Sequence, residues 1–198
     1  MKNKIYFYIL CAASAFLVLL QLNCSPNTKK QMTKEQLIAK GKYLVNLGGC
    51  NDCHSPKIMT AMGPVPDTTR LLSGNPANEP MPVINKMMMA QHNWVLTNMS
   101  STAWVGQWGA SFTANLTPDK ETGIGTWTPE IFIKALRTGK HMGIGRPIMP
   151  PMPWQSIGKL KDEDLKAIFA YLQSLPPILN KAPAPVPPNM ITKYFKKK

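Results

Sequence analysis

Acidic side chains are scarce in this chain: 10 Asp and Glu stand against 23 Lys and Arg, for a formal charge of +13. Charged residues together make up 17% of the 198, short of the roughly 25% usual in soluble domains. Cysteine is scarcer, with 4, and histidine scarcer still, with 3. Cys11 lies inside an N-terminal apolar run and Cys24 stands two residues beyond its end. Only Cys50 and Cys53 are left for chemistry, too few for the disulfide framework of a small exported domain. Zinc would need four ligands, and beyond Cys50, Cys53 and His54 the chain offers only His92 and His141 with no second cysteine pair, which argues against a structural zinc site. The length excludes a multidomain enzyme. The 13 Gly and 19 Pro fall below the roughly 25 to 30% that marks low complexity, so the chain folds. Pro is still about twice its usual share, which predicts few long elements and much ordered loop.

The basic balance alone would suggest nucleic acid. The N-terminus points elsewhere. Lys2 and Lys4 precede an apolar run from Ile5 to Leu22, broken only by Ser14 and Gln21, the pattern of a secretory leader or membrane anchor. Residues 1–23 therefore read as a lipoprotein-type signal peptide, with Cys24 as the lipidated first residue of the mature chain and 24–31 as a polar tether. An uncleaved signal anchor is the alternative, because either device holds a soluble domain at a membrane. The expected location is the bacterial cell envelope, facing the periplasm, with no nucleic-acid partner.

Beyond the tether, Thr33 with Gln36 forms a capping box, and Leu37, Ile38, Gly41, Leu44 and Val45 share one helical face that Gly48 and Gly49 end. Residues 56–112 carry Gly-Pro, Asn-Pro and Met-Pro breaks, a Met87-Met88-Met89 run, and Trp94, Trp104 and Trp108 without sustained periodicity. They read as loops with short elements. Thr128 caps a second helix with Pro129 at its first position and Gly139 at its stop, burying Phe132, Ala135 and Leu136. Asp162 to Ser174 is a third, with Leu165, Ile168, Phe169 and Leu172 at helical spacing, three acids on its N-terminal dipole, and Pro176-Pro177 ending it. Arg137, in the last turn of the second helix, complements that helix's dipole. The Pro-rich residues 178–198 predict an extended tail over the domain surface, ending in solvated lysines.

Cys50-Asn51-Asp52-Cys53-His54 is the attachment pattern of c-type haem, in which two thiols one helical turn apart take the two vinyl groups and the histidine ligates iron. A redox dithiol should open a helix after a strand, whereas this pair follows a helix and two glycines. Export supplies the compartment in which haem attachment takes place. The sixth iron position decides function, since a Met or His there favours electron transfer while an open position admits peroxide chemistry. Met149 and Met152 stand in the loop Ile148-Met149-Pro150-Pro151-Met152-Pro153-Trp154, whose prolines lower the entropy lost in holding a thioether still. Core filling is their alternative use, and His141 or an open site are the alternative occupants of the iron position.

A helix running into CxxCH, with a Met loop just before a C-terminal amphipathic helix, resembles the class I c-type cytochromes. Asn115-Leu116-Thr117-Pro118-Asp119, Thr122 to Trp127, Ala135 to Gly139, Met152-Pro153-Trp154 and Asp162-Glu163-Asp164-Leu165 resemble more narrowly the haem modules of bacterial dehydrogenase cytochrome subunits. The resemblance covers roughly Leu37 to Pro66 and Phe112 to Pro177, leaves the segment between unmatched, and departs from multihaem subunits in holding a single CxxCH. Its register implies Met152 rather than Met149 as the sixth ligand. It further implies that the Pro64 carbonyl accepts the His54 Nδ1 proton, that Asn115, Trp127 and Arg146 face the haem propionates, and that Gly41 makes a close helix crossing against Phe169 or Tyr171. Trp94, Trp104 and Trp108 would cover the haem edge or fill the core of the enlarged loop.

The expected fold is all-α: one cytochrome c domain over 32–177 around a single covalent haem c, with a long insertion at about 56–112 and the Pro-rich tail. The expected function is one-electron transfer between envelope redox proteins, the partner being a dehydrogenase, oxidase or other cytochrome with an acidic docking face. The alternatives are an obligate haem subunit of a membrane-bound dehydrogenase complex and, further off, a haem peroxidase. The chain is expected to catalyse no bond chemistry itself.

Overall fold

A computed structural model describes residues 31–80, 84 and 94–195. The leader, Cys11, Cys24, most of the tether, Met87 to Met89, His92 and Lys196 to Lys198 lie outside them. Contacts divide the chain into two units, Met1–Met32 and Thr33–Lys198, and the elements described below are those of the second. No helix among the described residues is long and apolar enough to cross a membrane.

Helix α1, Lys34–Leu47, opens on the expected capping box: the Gln36 N–H donates to Thr33 Oγ1 at 3.3 Å and the Thr33 N–H to Gln36 Oε1 at 3.0 Å. Gly49 (φ +63°) turns the chain in a left-handed conformation, and α2, Cys50–His54, follows at once. Helix α3, Pro129–Thr138, is capped by Thr128 Oγ1, which accepts from the Ile131 N–H at 3.3 Å. A short α4, Trp154–Ile157, leads to α5, Asp162–Gln173. The most extensive helix pairing is α1 on α5. A methyl at Gly41 would collide with the Ala167 carbonyl and come within 2.8 Å of Tyr171 Cβ. The close crossing is therefore made by glycine against Tyr171 and the Ala167 backbone rather than Phe169. Lys40 and Asp164 tie its edge at 2.5 Å. Arg137 does more than complement its helix dipole, donating to Asp162 Oδ1 at 2.6 Å and to the Leu160 carbonyl at 2.8 Å and so joining α3 to the start of α5.

The main core gathers Val45, Leu72, Phe132, Leu165, Phe169 and Leu172 with their neighbours. Leu165 and Leu172 are fully buried, so truncating either to Ala costs about 2 to 5 kcal/mol.

The all-α expectation is too narrow. Two small antiparallel sheets stand in the insertion: the hairpin β1, Lys57–Thr60, with β2, Gly63–Pro66, and the meander β3, Leu96–Thr97, β4, Ala103–Gly106, and β5, Gly109–Phe112. The domain does not stop at 177 either. Val186 pairs antiparallel with Ala110, and Val186, Ile191 and Phe195 bury themselves with Ala103, Val105 and Phe112 in a second core. The tail is extended as far as this pairing and then forms a 3-10 turn, Pro188–Met190, and the short helix α6, Ile191–Tyr194. It is a structural part of the domain because strands this short cannot bury their apolar face without a cover. Trp94 stands exposed, and the Trp104 indole N–H donates to the Ser101 carbonyl at 2.8 Å. Neither they nor Trp108 belong to the buried residues of that second core.

Candidate haem site

Helix α2 presents Cys50 and Cys53 one turn apart, which sets both sulfurs on one face. Both are free thiols and half-buried, and Cys50 packs against the main core. Burial pushes both thiols up and the Asp52 carboxylate adds to it, so they stand protonated at neutral pH, the S–H form that adds across a vinyl group. The Lys57 ammonium donates to the carbonyls of Ser55 at 2.7 Å, Asn51 at 2.9 Å and Asp52 at 3.0 Å. It thereby satisfies acceptors that a helix C-terminus leaves open.

His54 is buried, and its Nδ1 lies 2.8 Å from the Ala114 carbonyl oxygen. A carbonyl only accepts, so Nδ1 carries the proton and Nε2 keeps its lone pair. Burial lowers the histidine's pKa more than the carbonyl raises it. The ring is therefore a neutral imidazole with one nitrogen available to a metal. The acceptor is not Pro64. Pro64 pairs with Met59 in the exposed β1–β2 hairpin, where Gly63-Pro64 opens the second strand just after the turn at Ala61-Met62.

Ala114 is fixed by a frame of backbone bonds. The segment 72–75 runs between the two sides: the Gly74 N–H donates to the His54 carbonyl at 2.7 Å, the Asn75 N–H to Thr113 at 3.0 Å, and the Leu116 N–H to Leu72 at 2.8 Å. The Asn115 amide is engaged by the same frame. Its Nδ2 donates to the Ile178 carbonyl at 2.7 Å and to Thr122 Oγ1 at 3.1 Å, while its Oδ1 accepts from Thr117 Oγ1 at 2.7 Å and the Thr117 N–H at 3.0 Å. A propionate role for Asn115 is thereby corrected to one of tying the His54 loop to the tail. Asn180 completes the tie, donating to the Ser73 and Asn75 carbonyls at 2.7 and 2.9 Å.

Trp127 is half-buried against the main core and meets His141 edge to face, with ring centroids 5.2 Å apart. Arg146 lies exposed on the same loop as His141, where its Nη1 donates to the Pro147 carbonyl at 3.3 Å. Met149 and Met152 are both half-buried, and Met152 packs against the main core, as Cys50 does. The Ile148 N–H anchors the start of their loop on the Gly139 carbonyl at 2.7 Å. Gly139 has φ +66°, and a methyl there would press into the Trp154 ring, so the helix stop doubles as a seat for the residue that ends the loop.

The donor set suits a c-type haem: two protonated thiols on one helical turn, a neutral histidine with Nε2 free, and a thioether packed on the same core. Thr113 Oγ1, one residue from Ala114, is buried without a hydrogen-bond partner, a donor that a bound carboxylate would satisfy. Among the described residues no group of three or more His, Cys, Asp or Glu gathers as a metal site by itself. Sequence reasoning missed Ala114, whose part is played by its main chain, and Lys57 and Asn180, whose partners are backbone carbonyls.

Fold and site together define a class I c-type cytochrome. The sequence profile of the Cytochrome c family matches residues 38–176, and the chain belongs to that family. It is 29% identical over 137 residues, 69% of this chain, to the gluconate 2-dehydrogenase cytochrome c subunit of Pantoea cypripedii. To the cytochrome c subunit of the quinone-dependent alcohol dehydrogenase of Gluconobacter oxydans it is 28% identical over 156 residues, 77% of this chain. To the fructose dehydrogenase cytochrome subunit of Gluconobacter japonicus it is 41% identical over 66 residues, 33% of this chain. These relatives are much longer, and the matches span 23%, 25% and 13% of their lengths.

Proposed function

We propose that the chain holds one covalent haem c on Cys50 and Cys53, with His54 and Met152 as axial ligands, and serves as the electron-transfer subunit of a dehydrogenase complex at the bacterial cell envelope. The observation that carries this reading is the similarity to cytochrome subunits of gluconate and alcohol dehydrogenases across 69% and 77% of the chain. It favours a subunit over the free carrier that the single CxxCH and basic charge would also suit.

When bound, the haem supplies one-electron chemistry. The chain's own residues do the rest. Cys50 and Cys53 would tether the haem to α2, and the Ala114 carbonyl holds the His54 proton on Nδ1, orienting the ring and strengthening Nε2 as a donor. Met152, on its proline-stiffened loop, would hold the iron from the other side and so close it to peroxide. The excess of Lys and Arg steers the domain to an acidic partner face, so reduction by the partner slows as salt rises. Cys24, or an uncleaved leader, keeps it at the membrane on the periplasmic side.

Affinity purification from detergent-solubilised envelope tests the proposal. A dehydrogenase subunit should be recovered in stoichiometric amount. Recovery of the cytochrome without one, with electrons still delivered to a soluble acceptor, would return it to the class of free carriers. Cys24→Ala should release the domain from membranes, and uncleaved precursor retained there would make the leader the anchor.

A further inference from the structure

Ser111 on β5 is buried, and its hydroxyl donates to the Pro150 carbonyl at 2.5 Å. Ser111 Oγ in turn accepts from the Trp108 indole Nε1–H at 3.2 Å. Pro150 stands two residues before Met152, in a stretch where Pro147, Pro150, Pro151 and Pro153 have no N–H to offer. The bonds beyond Ile148 in that stretch are local: the Met152 N–H to Met149 at 3.3 Å and the Trp154 N–H to Met152 at 2.9 Å. The Pro150 carbonyl is thus a point where a distant element grips the loop. The gripping strand is itself held on both edges. Ser111 pairs with Trp104 of β4, and Ala110 exchanges both backbone bonds with Val186 of the tail at 2.8 and 2.9 Å. A methyl at Gly109 would collide with the Val186 carbonyl, so the tail lies directly on β5.

We propose that Trp108 and Ser111 are positioning residues for the sixth iron ligand: the Trp108 to Ser111 to Pro150 hydrogen bonds clamp the Met152 loop to the insertion sheet, which the tail braces from behind. The inference rests on the reading of Met152 as ligand. A hydroxyl that merely satisfied a stray carbonyl would contribute to folding and leave the iron position unchanged. A clamp lowers the chance that Met152 swings away, and so lowers the affinity of any outside ligand that competes for iron.

Imidazole binding to the oxidised holoprotein, followed with the long-wavelength Met-to-iron charge-transfer band, separates these roles. Ser111→Ala should tighten imidazole about fivefold, the worth of one neutral hydrogen bond, and Ser111→Thr, which keeps the hydroxyl, should restore the wild-type value. Trp108→Phe keeps an aromatic ring, loses the donor, and should tighten imidazole about twofold, a fraction of that bond's worth. Thr102→Val removes a buried hydrogen bond to Asn75 at 2.9 Å just before β4 and should leave imidazole affinity unchanged. Equal tightening in Thr102→Val and Ser111→Ala would overturn the clamp in favour of general loosening. Unchanged affinity in Ser111→Ala, with Met152→Ala strongly tightened, would overturn the clamp and leave the ligand reading standing. A charge-transfer band that survives Met152→Ala would remove the ligand reading and the clamp together. If Ser111→Ala does not fold, Trp108→Phe decides, with unchanged affinity counting against the clamp.

Discussion

Gly74→Ala should raise the reduction potential of the haem. Gly74 has φ +78°, and an added methyl would lie 2.5 Å from the Thr113 oxygen, 2.6 Å from the Ala114 carbonyl carbon and 2.7 Å from its oxygen. These are backbone atoms, so the main chain of Thr113 and Ala114 must shift rather than a side chain swing away. The Ala114 oxygen is the acceptor of the His54 Nδ1 proton at 2.8 Å. Positive φ on a residue with a Cβ costs about 1 to 3 kcal/mol, and a buried N–H deprived of its acceptor costs roughly 1 to 3 kcal/mol more. The Nδ1 hydrogen bond makes the imidazole a stronger donor and so favours the ferric iron. If about 1 kcal/mol of that preference is lost, the potential rises by about 40 mV for one electron. Gly63→Ala is the control. Gly63 has φ +110° with nothing within 4 Å of a new methyl, so it bears backbone strain alone and should leave the potential where it was. Spectroelectrochemical titration of both variants, beside denaturant unfolding, gives the comparison. A folded Gly74→Ala protein whose potential equals or falls below that of Gly63→Ala would refute the tuning of His54 by Ala114.

Replacing Cys50 and Cys53 together by Ala should leave no haem in the mature protein by mass spectrometry, while the wild-type chain gains the mass of one; two haems would refute the single-site reading. The Met-to-iron charge-transfer band should vanish in Met152→Ala and survive in Met149→Ala, and the reverse pattern would move the ligand to Met149. The Asp119 carboxylate accepts from the Thr122 hydroxyl at 2.6 Å and the Thr122 and Glu121 N–H groups at 2.7 and 3.2 Å, bonds that hold its pKa below the usual carboxylate value. Its contribution is therefore complete above the unfolded value, about 3.9, and lost as pH falls through the lowered folded value. Thermal unfolding from neutral to acid pH should drop less steeply in Asp119→Asn than in the wild type, and equal slopes would refute this.

What could be read from the sequence depended on whether the signal was local. Helices α1, α3 and α5 announce themselves within a few residues: Thr33 with Gln36, Thr128 with Pro129 and Gly139, the acids before Leu165. The CxxCH spacing is equally local, and so were the candidate ligands. The meander was not legible, because strands of two to four residues are too short to establish alternation. β5, Gly109–Phe112, is buried at every position with Gly, Ala and Ser in three of its four, so it shows neither period nor β-branched composition. Its cover comes from Val186, beyond all the helices of the main core.

The misassignments around His54 have a related cause. A Gly-Pro dipeptide close after the motif was a plausible acceptor for Nδ1, yet any carbonyl serves, and no side chain marks which one the fold delivers. The one delivered comes from Ala114, 60 residues away in sequence. It is held there by Asn115, whose side chain invites a polar role at the cofactor and is engaged by the tail instead. A short side chain at 114 and an amide at 115 therefore carry one function between them: the backbone of the first faces the histidine because the second binds Ile178 and Thr122. The Pro-rich tail, which composition alone presents as a surface strap, so reaches the two proposed ligand segments by two routes, through Asn115 to the loop that holds His54 and through Ala110 to the strand that holds Pro150. Removing it should disturb the surroundings of His54 and of Met152 before it disturbs the α1–α5 crossing, whose nearest contacts at Gly41 come from Ala167 and Tyr171.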